Sequence, residues 1–383
     1  MRIALVCSEY PPCGAGIASY IQRLELELAR RGHDVTILTR ECRGSPEVGT
    51  TPNGASITRL KFLPVFPFGN MKMSKDAERI LRNQRVDIVN VHYPAPITIN
   101  TSHPSLLTIH NVLGGNRELI RRGEGLPSTV RIALPFLKAF EGSCINHYDC
   151  LTAVSEGVMT QAANDYPKAM KSSMGVVGNG IDVEVFEPVD ASHRGSYVLY
   201  AGRLDKGKGI DLLIKAFAAI ANEVPDLRLF VAGKGPLEKR CLSLSRELEI
   251  SDKTQFLGWL TGQDYVDAVR RASVYVLPSS SEGLSTTLLE AASSGVAIIA
   301  SDIPNNSSVI THLSNGLLFR NGDAADLTSK LRLLLHDNEL KKNLERIGRQ
   351  NCVNRYNWRN VVDNFERICE SVIARRSGSQ QMR

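Results

Sequence analysis

Two carboxylates eight residues apart, Glu282 and Glu290, bracket the small-residue stretch Gly283-Leu-Ser-Thr-Thr-Leu-Leu289, directly after the apolar run Val274-Tyr-Val-Leu277. The apolar run reads as a strand that delivers the chain to Pro278, and Glu282-Gly283 as the loop that follows. A helix should then start near Ser285, whose hydroxyl suits an N-cap. Backbone amides in the first turn of such a helix lack intrahelical partners and form a ready phosphate site. Glu282 would stand beside the anion, with Glu290 roughly 8 Å away at ~1.5 Å per residue. That separation suits a ligand with a diphosphate in the middle, a sugar at one end and a ribose at the other. A carboxylate accepts two donors from a diol, so Glu290 is placed for the ribose and Glu282 for the sugar hydroxyls.

A second constellation supplies the opposite charge. Tyr200-Ala-Gly202-Arg203-Leu-Asp205-Lys206-Gly-Lys208-Gly209 follows an apolar run, where a basic loop is either solvated or aimed at a ligand. If aimed, Arg203 can grip two phosphate oxygens through its planar fork while Lys208 acts as a compact point charge. Such preorganised cations lower the barrier to departure of a diphosphate. Gly233 in Val231-Ala-Gly-Lys-Gly-Pro236 and Leu257 in Gln255-Phe-Leu-Gly-Trp259 are expected to shape the nucleotide pocket.

In the first half, Glu9-Tyr-Pro-Pro-Cys-Gly14-Ala15-Gly16-Ile17 sits between a strand and a helix from about Ile17 to Arg31. A dinucleotide fingerprint would need glycine at position 19, where the chain has Ser19, which argues against a nicotinamide site. His110, in Thr108-Ile-His-Asn111, ends a strand, where α/β folds gather their polar groups. It is either a donor to a sugar hydroxyl or a buried structural histidine. His92 and Tyr93 end another strand on what would be the acceptor side. His33, after Arg31-Gly32, reads as structural, with Gly32 ending the helix.

The elements that must position these residues are short apolar runs alternating with helix-length amphipathic segments. Runs at 3–6, 35–38, 86–91, 106–109 and 151–154 belong to the first half, and runs at 197–200, 227–232, 255–257, 274–277 and 297–300 to the second. Near-continuous apolar strands spaced by helices mean parallel sheets covered on both faces. The fold class is therefore α/β, with two doubly wound Rossmann-like domains. The expected boundaries are 1–186 for the first domain, 187–196 for a polar linker, 197–357 for the second domain, and 358–383 for a terminal helix and frayed tail.

Composition fits an ordinary globular chain of 383 residues, 43% hydrophobic and 22% charged, with net charge +6. No stretch approaches the ~18 apolar residues of a membrane span, and Met1-Arg-Ile-Ala-Leu-Val-Cys7 reads as a strand rather than a leader. Eight cysteines without metal spacing read as reduced thiols of a cytoplasmic protein. Basic residues cluster at 71–85 and 117–138, as a solvated face or as a surface for anionic lipid at a membrane face or a phosphorylated acceptor. No aromatic residues interleave them as nucleic-acid stacking would require.

Together these motifs resemble the retaining GT-B glycosyltransferases of family four. Glu282 to Glu290 is similar to the family's Glu-x7-Glu, Gly202-Arg203 to Lys208-Gly209 to its Gly-Arg-x4-Lys-Gly, Gly233 to Pro236 to its Gly-x-Gly-Pro, and Pro12 to Ile17 to its Pro-x-x-Gly-Gly-Ile with Ala15 in place of one glycine. The resemblance implies a nucleoside-diphosphate sugar as co-substrate, with UDP favoured over GDP. It implies catalytic roles for Arg203, Lys208, Glu282 and His110, and donor contacts from Gly16, Gly202, Gly233, Leu257, Gly283, Leu284, Ser285 and Glu290. It does not imply a metal, since cations and a helix terminus supply the positive charge. It also implies a terminal helix that crosses back to the first domain. The acceptor, whether glycan, lipid-linked or a small molecule, is not encoded in a legible motif. One departure stands out: where the family carries Gly-Gly-x-x-Glu, this chain has Pro304-Asn305-Asn306-Ser307-Ser308. That departure leaves open a nucleotide-sugar hydrolase or epimerase, or a silent scaffold subunit.

Overall fold

The computed structural model describes residues 1–14, 16–62, 68–93, 98–112, 128–167 and 173–381. They fall into two compact units: one takes the described residues of 1–180 together with the segment from Trp358 onward, the other Ile181–Asn357. Ala15 and most of the 117–138 basic cluster lie outside the described residues.

The first unit is built on eight strands: β1 (Arg2–Cys7), β2 (Asp34–Arg40), β3 (Val48–Thr50), β4 (Ser56–Leu60), β5 (Ile88–Tyr93), β6 (Ser105–Ile109), β7 (Cys150–Ala153) and β8 (Ser173–Val176). Their order is β3-β4-β2-β1-β5-β6-β7-β8, and every pairing is parallel except that of β3 with β4. Helices α1 (Gly16–Arg30), α2 (Phe68–Arg82), α3 (Ser128–Ile145) and α4 (Glu156–Asp165) connect them. The β6 and β7 side chains are buried along their whole length, as strands covered on both faces must be. On α2, Lys72 and Arg79 pair with Asp76 and Arg82 with Glu78, so this part of the basic cluster is a solvated, internally paired helix face.

The second unit runs β9 (Tyr197–Ala201), α5 (Ile210–Ala218), β10 (Arg228–Ala232), α6 (Glu238–Glu247), β11 (Thr254–Gly258), α7 (Gly262–Arg270), β12 (Val274–Leu277), α8 (Thr286–Ser293), β13 (Ala297–Ser301), α9 (Pro304–Ser307), β14 (Leu317–Phe319), α10 (Ala324–His336) and α11 (Asn338–Arg355). The strand order β11-β10-β9-β12-β13-β14 reverses direction between β9 and β12. That reversal is the topological switch point at which doubly wound sheets bind ligands. Residues 187–196, read as a linker, pack onto this unit. Arg194 donates to the carbonyls of Ala272 (3.1 Å) and Gly295 (2.6 Å), and the Gly195 amide donates to Arg271 (2.7 Å).

The last helix, α12 (Trp358–Gln381), belongs to the first unit, where it packs on α1. Arg31 bonds Asp363 and Glu366, both at 2.6 Å, and His33 bridges the N-terminal amine (3.0 Å) and Glu366 (2.6 Å). His33 is therefore a structural clasp. The Trp358 ring lies where a Cβ on Gly180 would fall, 2.3 Å from the nearest ring atom, so only glycine fits at 180.

The sulfur chemistry differs from expectation. Cys13 and Cys42 form a disulfide that ties the loop after β1 to the loop after β2, so the eight cysteines are not all reduced thiols. Spacing in sequence could not reveal a pair brought together only by neighbouring parallel strands. The other six are free and buried. Among the described residues no helix is long and apolar enough to cross a membrane.

Candidate functional site

In the second unit the site grows from two loops at the switch point. The turn Lys206–Lys208 follows β9, and Gly209 after it adopts φ +65 with no room for a side chain: a Cβ would lie 2.1 Å from the Pro278 carbonyl oxygen. That contact lays the 206–209 turn against the chain leaving β12. Ser280 strengthens it, its amide and hydroxyl both donating to the Gly207 carbonyl at 3.0 and 3.2 Å. Clamped this way, Lys208 Nζ meets both carboxylate oxygens of Glu282, at 2.7 and 2.8 Å, with both side chains largely buried.

Gly233 plays a parallel role one strand over. A Cβ there would sit 1.8 Å from the Gly202 carbonyl oxygen, so the ends of β9 and β10 can close only with glycine at 233. The Gly202 amide donates to Ala232 (2.9 Å) and the Gly233 amide to Gly258 (2.7 Å), lacing the loops together near Leu257. Arg203 stands apart from this cluster, 66% exposed and paired with Asp205 at 2.9 Å.

Glu282 and Gly283 lead into Leu284, which is buried, and Ser285 caps α8 as expected, its hydroxyl accepting from the Leu288 amide at 3.4 Å. The same hydroxyl lies 3.0 Å from Thr287 Oγ1, which is 2.6 Å from the Tyr275 hydroxyl. About one turn into α8, Glu290 accepts a hydrogen bond from Tyr265 on α7. The residue keeps some exposed surface but its carboxyl group is enclosed, and burial raises its pKa to about 7 against the lowering effect of the Tyr265 bond. Tyr265 was not legible as a site residue, because nothing in the sequence registers α7 against α8.

The atypical segment 304–308 is not a gap in this wall. Asn305 donates to the Glu282 carbonyl, and Asn306 donates to the Ser301 carbonyl at 3.0 Å. Both asparagines are buried, and they hold the Glu282 loop to the end of β13. Among the described residues no group of three or more His, Cys, Asp or Glu side chains is arranged to hold a metal ion.

The first unit holds Gly16 and His110. Gly16 opens α1 with open space where a Cβ would project. His110 follows β6, and beneath it runs a buried polar chain. Thr152 and Thr108 hydroxyls are 2.7 Å apart, Thr108 donates to Asn90 Oδ1 at 2.8 Å, Asn90 Nδ2 lies 3.1 Å from His92 Nε2, and His92 Nδ1 lies 3.1 Å from His110 Nε2. The shortest contacts are all satisfied when each group donates outward. Thr152 then gives its proton to Thr108 rather than to the Leu107 carbonyl at 3.3 Å. In that arrangement His92 carries its proton on Nδ1, and His110 keeps an Nδ1–H free to donate beyond the chain. Burial lowers the His110 pKa to about 3, and burial together with the neighbouring His110 lowers that of His92, so both rings are neutral. Tyr20 closes the group edge-on to His110, with centroids 5.0 Å apart. Asn90 and Thr108 lay hidden within apolar strands, legible only once strand register is known.

Residues 14–185 match the family model described as Glycosyltransferase Family 4, and residues 184–351 match that described as Glycosyl transferases group 1. Glycogen synthase of Mycobacterium tuberculosis is 25% identical over 394 aligned positions, covering 94% of this chain and 92% of that protein. N-acetyl-alpha-D-glucosaminyl L-malate synthase of Bacillus anthracis is 26% identical, with 97% of each chain covered. Among solved structures, sucrose-phosphate synthase from Thermosynechococcus elongatus aligns at a TM-score of 0.80 and 20% identity over 98% of this chain and 100% of that one. That likeness is one of fold, the GT-B architecture.

Proposed function

This chain belongs to the Family 4, group 1 glycosyltransferases, and we propose that it moves a hexose-type sugar from a nucleoside diphosphate, UDP in preference to GDP, onto an acceptor hydroxyl with retention of configuration. The observation that carries this reading is the Lys208–Glu282 pair at the switch point of the second sheet, beside the Ser285-capped helix that bears Glu290. In the reaction, Lys208 and the first-turn amides of α8 meet the diphosphate and stabilise the charge that develops as the sugar leaves. Arg203, with an exposed side chain on the same loop, swings from Asp205 to the phosphates when donor arrives. Glu282, fixed by Lys208, accepts from sugar hydroxyls, and ionised Glu290 accepts from the ribose diol. His110, in the first unit, offers its Nδ1–H as a donor to a sugar hydroxyl.

These groups supply the positive charge themselves, so we read the reaction as metal-independent. The named relatives make products as different as glycogen and a glucosaminyl malate, so the acceptor is assigned only as a hydroxyl of a glycan, lipid-linked or small-molecule substrate. Asn305 and Asn306 support the Glu282 loop, which favours the transfer reading over a silent subunit. Sugar transfer with donor well below saturation tests the proposal: Glu290→Ala and Arg203→Ala should each lower it, and unchanged transfer in both would refute it.

A further inference from the structure

At the C-terminal ends of β2 and β4, away from the polar chain under His110, a cavity of about 440 Å³ opens in the first unit. Its volume is in the range of small-ligand sites. The floor is Arg59, only 8% exposed, and Cys42, at 7%. Arg59 donates through Nη2 to the Pro11 carbonyl at 3.0 Å, while Nε and Nη1 are buried and meet no hydrogen-bond partner among the described residues. A buried guanidinium is ordinarily paired, because desolvating a charge without a counter-charge costs several kcal/mol. Here no carboxylate pairs with it among the described residues. The rim is exposed and carries Arg43 and Lys61 against Glu41 and Glu47. Glu41 is occupied in part by the Phe62 amide at 3.0 Å. The rim is thus mixed, and the floor is cationic and unsatisfied.

We propose that this cavity binds an anionic group, a phosphate or carboxylate carried by the acceptor, with Arg59 as its buried anchor and Arg43 and Lys61 at its mouth. Anion binding stands on the cavity alone; its assignment to the acceptor rests on the glycosyl-transfer reading. A ligand on Arg59 is also joined to the glycine loop. Its guanidinium holds the Pro11 carbonyl, and the Cys13–Cys42 disulfide pins the cavity wall to the same loop. Seating the anion therefore bears on the loop after β1 at Pro11 and Cys13.

The test is calorimetric titration of the full chain with inorganic phosphate at constant ionic strength, alongside a UDP titration of the same preparation. Saturable phosphate binding is expected, weakened about tenfold or more in Arg59→Gln, as loss of a charge-assisted hydrogen bond of ~1.5–3 kcal/mol requires. The doubly substituted Arg43→Gln, Lys61→Gln chain, altered only at exposed positions, should bind phosphate more weakly while keeping its UDP affinity. It serves where Arg59→Gln fails to fold. Phosphate binding that is absent in the wild type, or equal in wild type and both variants, overturns the proposal while leaving the UDP result to judge the transfer reading separately. Glycerol phosphate and phosphatidylglycerol vesicles separate the sources. Arg59-dependent binding of the soluble ester alone places the anion on a soluble acceptor, and rim-dependent vesicle flotation places it on a lipid headgroup.

Discussion

At the ends of β9 and β12 the chain sets full charges, Lys208 against Glu282, with an enclosed carboxyl at Glu290 nearby. At the ends of β5 and β6 it sets two neutral imidazoles, His92 and His110, over a line of hydroxyl and amide groups. Under the proposed function, the difference reflects what each place is asked to do. A departing diphosphate needs fixed positive charge, which survives burial only if a partner satisfies it until the ligand comes. A sugar hydroxyl needs a donor pointing one way, and a buried neutral ring held in one tautomer by its neighbours provides that without charge.

The largest break in this contrast comes from the charged side. Lys208→Ala leaves Glu282 buried without its cation, and sugar transfer should fall by about 10²–10³, read in an assay of product formation. A loss confined to KM would mean that Lys208 binds the ground state and the transition state equally.

The carboxyl at Glu290 gives a pH signature. Ionised Glu290 is the form that accepts from a ribose diol, so UDP affinity should rise with pH through about 7 and weaken below it. Tyr265→Phe removes the bond that holds the pKa down, so the midpoint should move to higher pH. Stability runs the other way. The folded pKa lies above the ordinary value of 4.5, so this group's contribution is fully present below 4.5 and is lost as pH rises through about 7. Thermal unfolding of Glu290→Gln against wild type isolates it. A UDP affinity flat from pH 5 to 8 would remove Glu290 from the nucleotide site.

On the neutral side the effects are smaller. Asn90→Leu cuts His92 off from the threonine pair, frees both tautomers and should lower transfer about five- to tenfold, the equivalent of one hydrogen bond. Nitrogen NMR of His110 gives the sharper readout, since a merely structural Asn90 would leave Nε2 pyridine-like, whereas the polarised chain predicts an averaged signal in the variant. Ser285→Ala should cost only ~1 kcal/mol of stability through loss of the helix cap, measured by denaturant unfolding.

Most of what positions the charged site could be read from residue order. Apolar runs at 274–277 and 197–200 are strands, Ser285 is a cap, and Gly209 and Gly233 are glycine because neighbouring backbones leave no space. Contacts made between elements could not be read. Tyr265 reaches Glu290 from another helix, Asn305 reaches the Glu282 carbonyl from the short helix α9 after β13, and Cys13 meets Cys42 across two parallel strands. Strands β3, β8 and β14 escaped because they are short, and β4 because only Ile57 and Leu60 in it are apolar. Arg59 lay within β4, where a charged residue reads as solvent-facing, and only the fold reveals that it is buried.

The central claim is that the switch point of the second unit is a nucleoside-diphosphate site whose cation is Lys208. Its most direct test is calorimetric titration of the full chain with UDP, GDP and ADP in the presence of EDTA, repeated with Lys208→Ala. Selective, chelator-insensitive binding of one diphosphate that weakens in Lys208→Ala is the predicted result. Binding that vanishes with EDTA, or that is indifferent to Lys208, would contradict it.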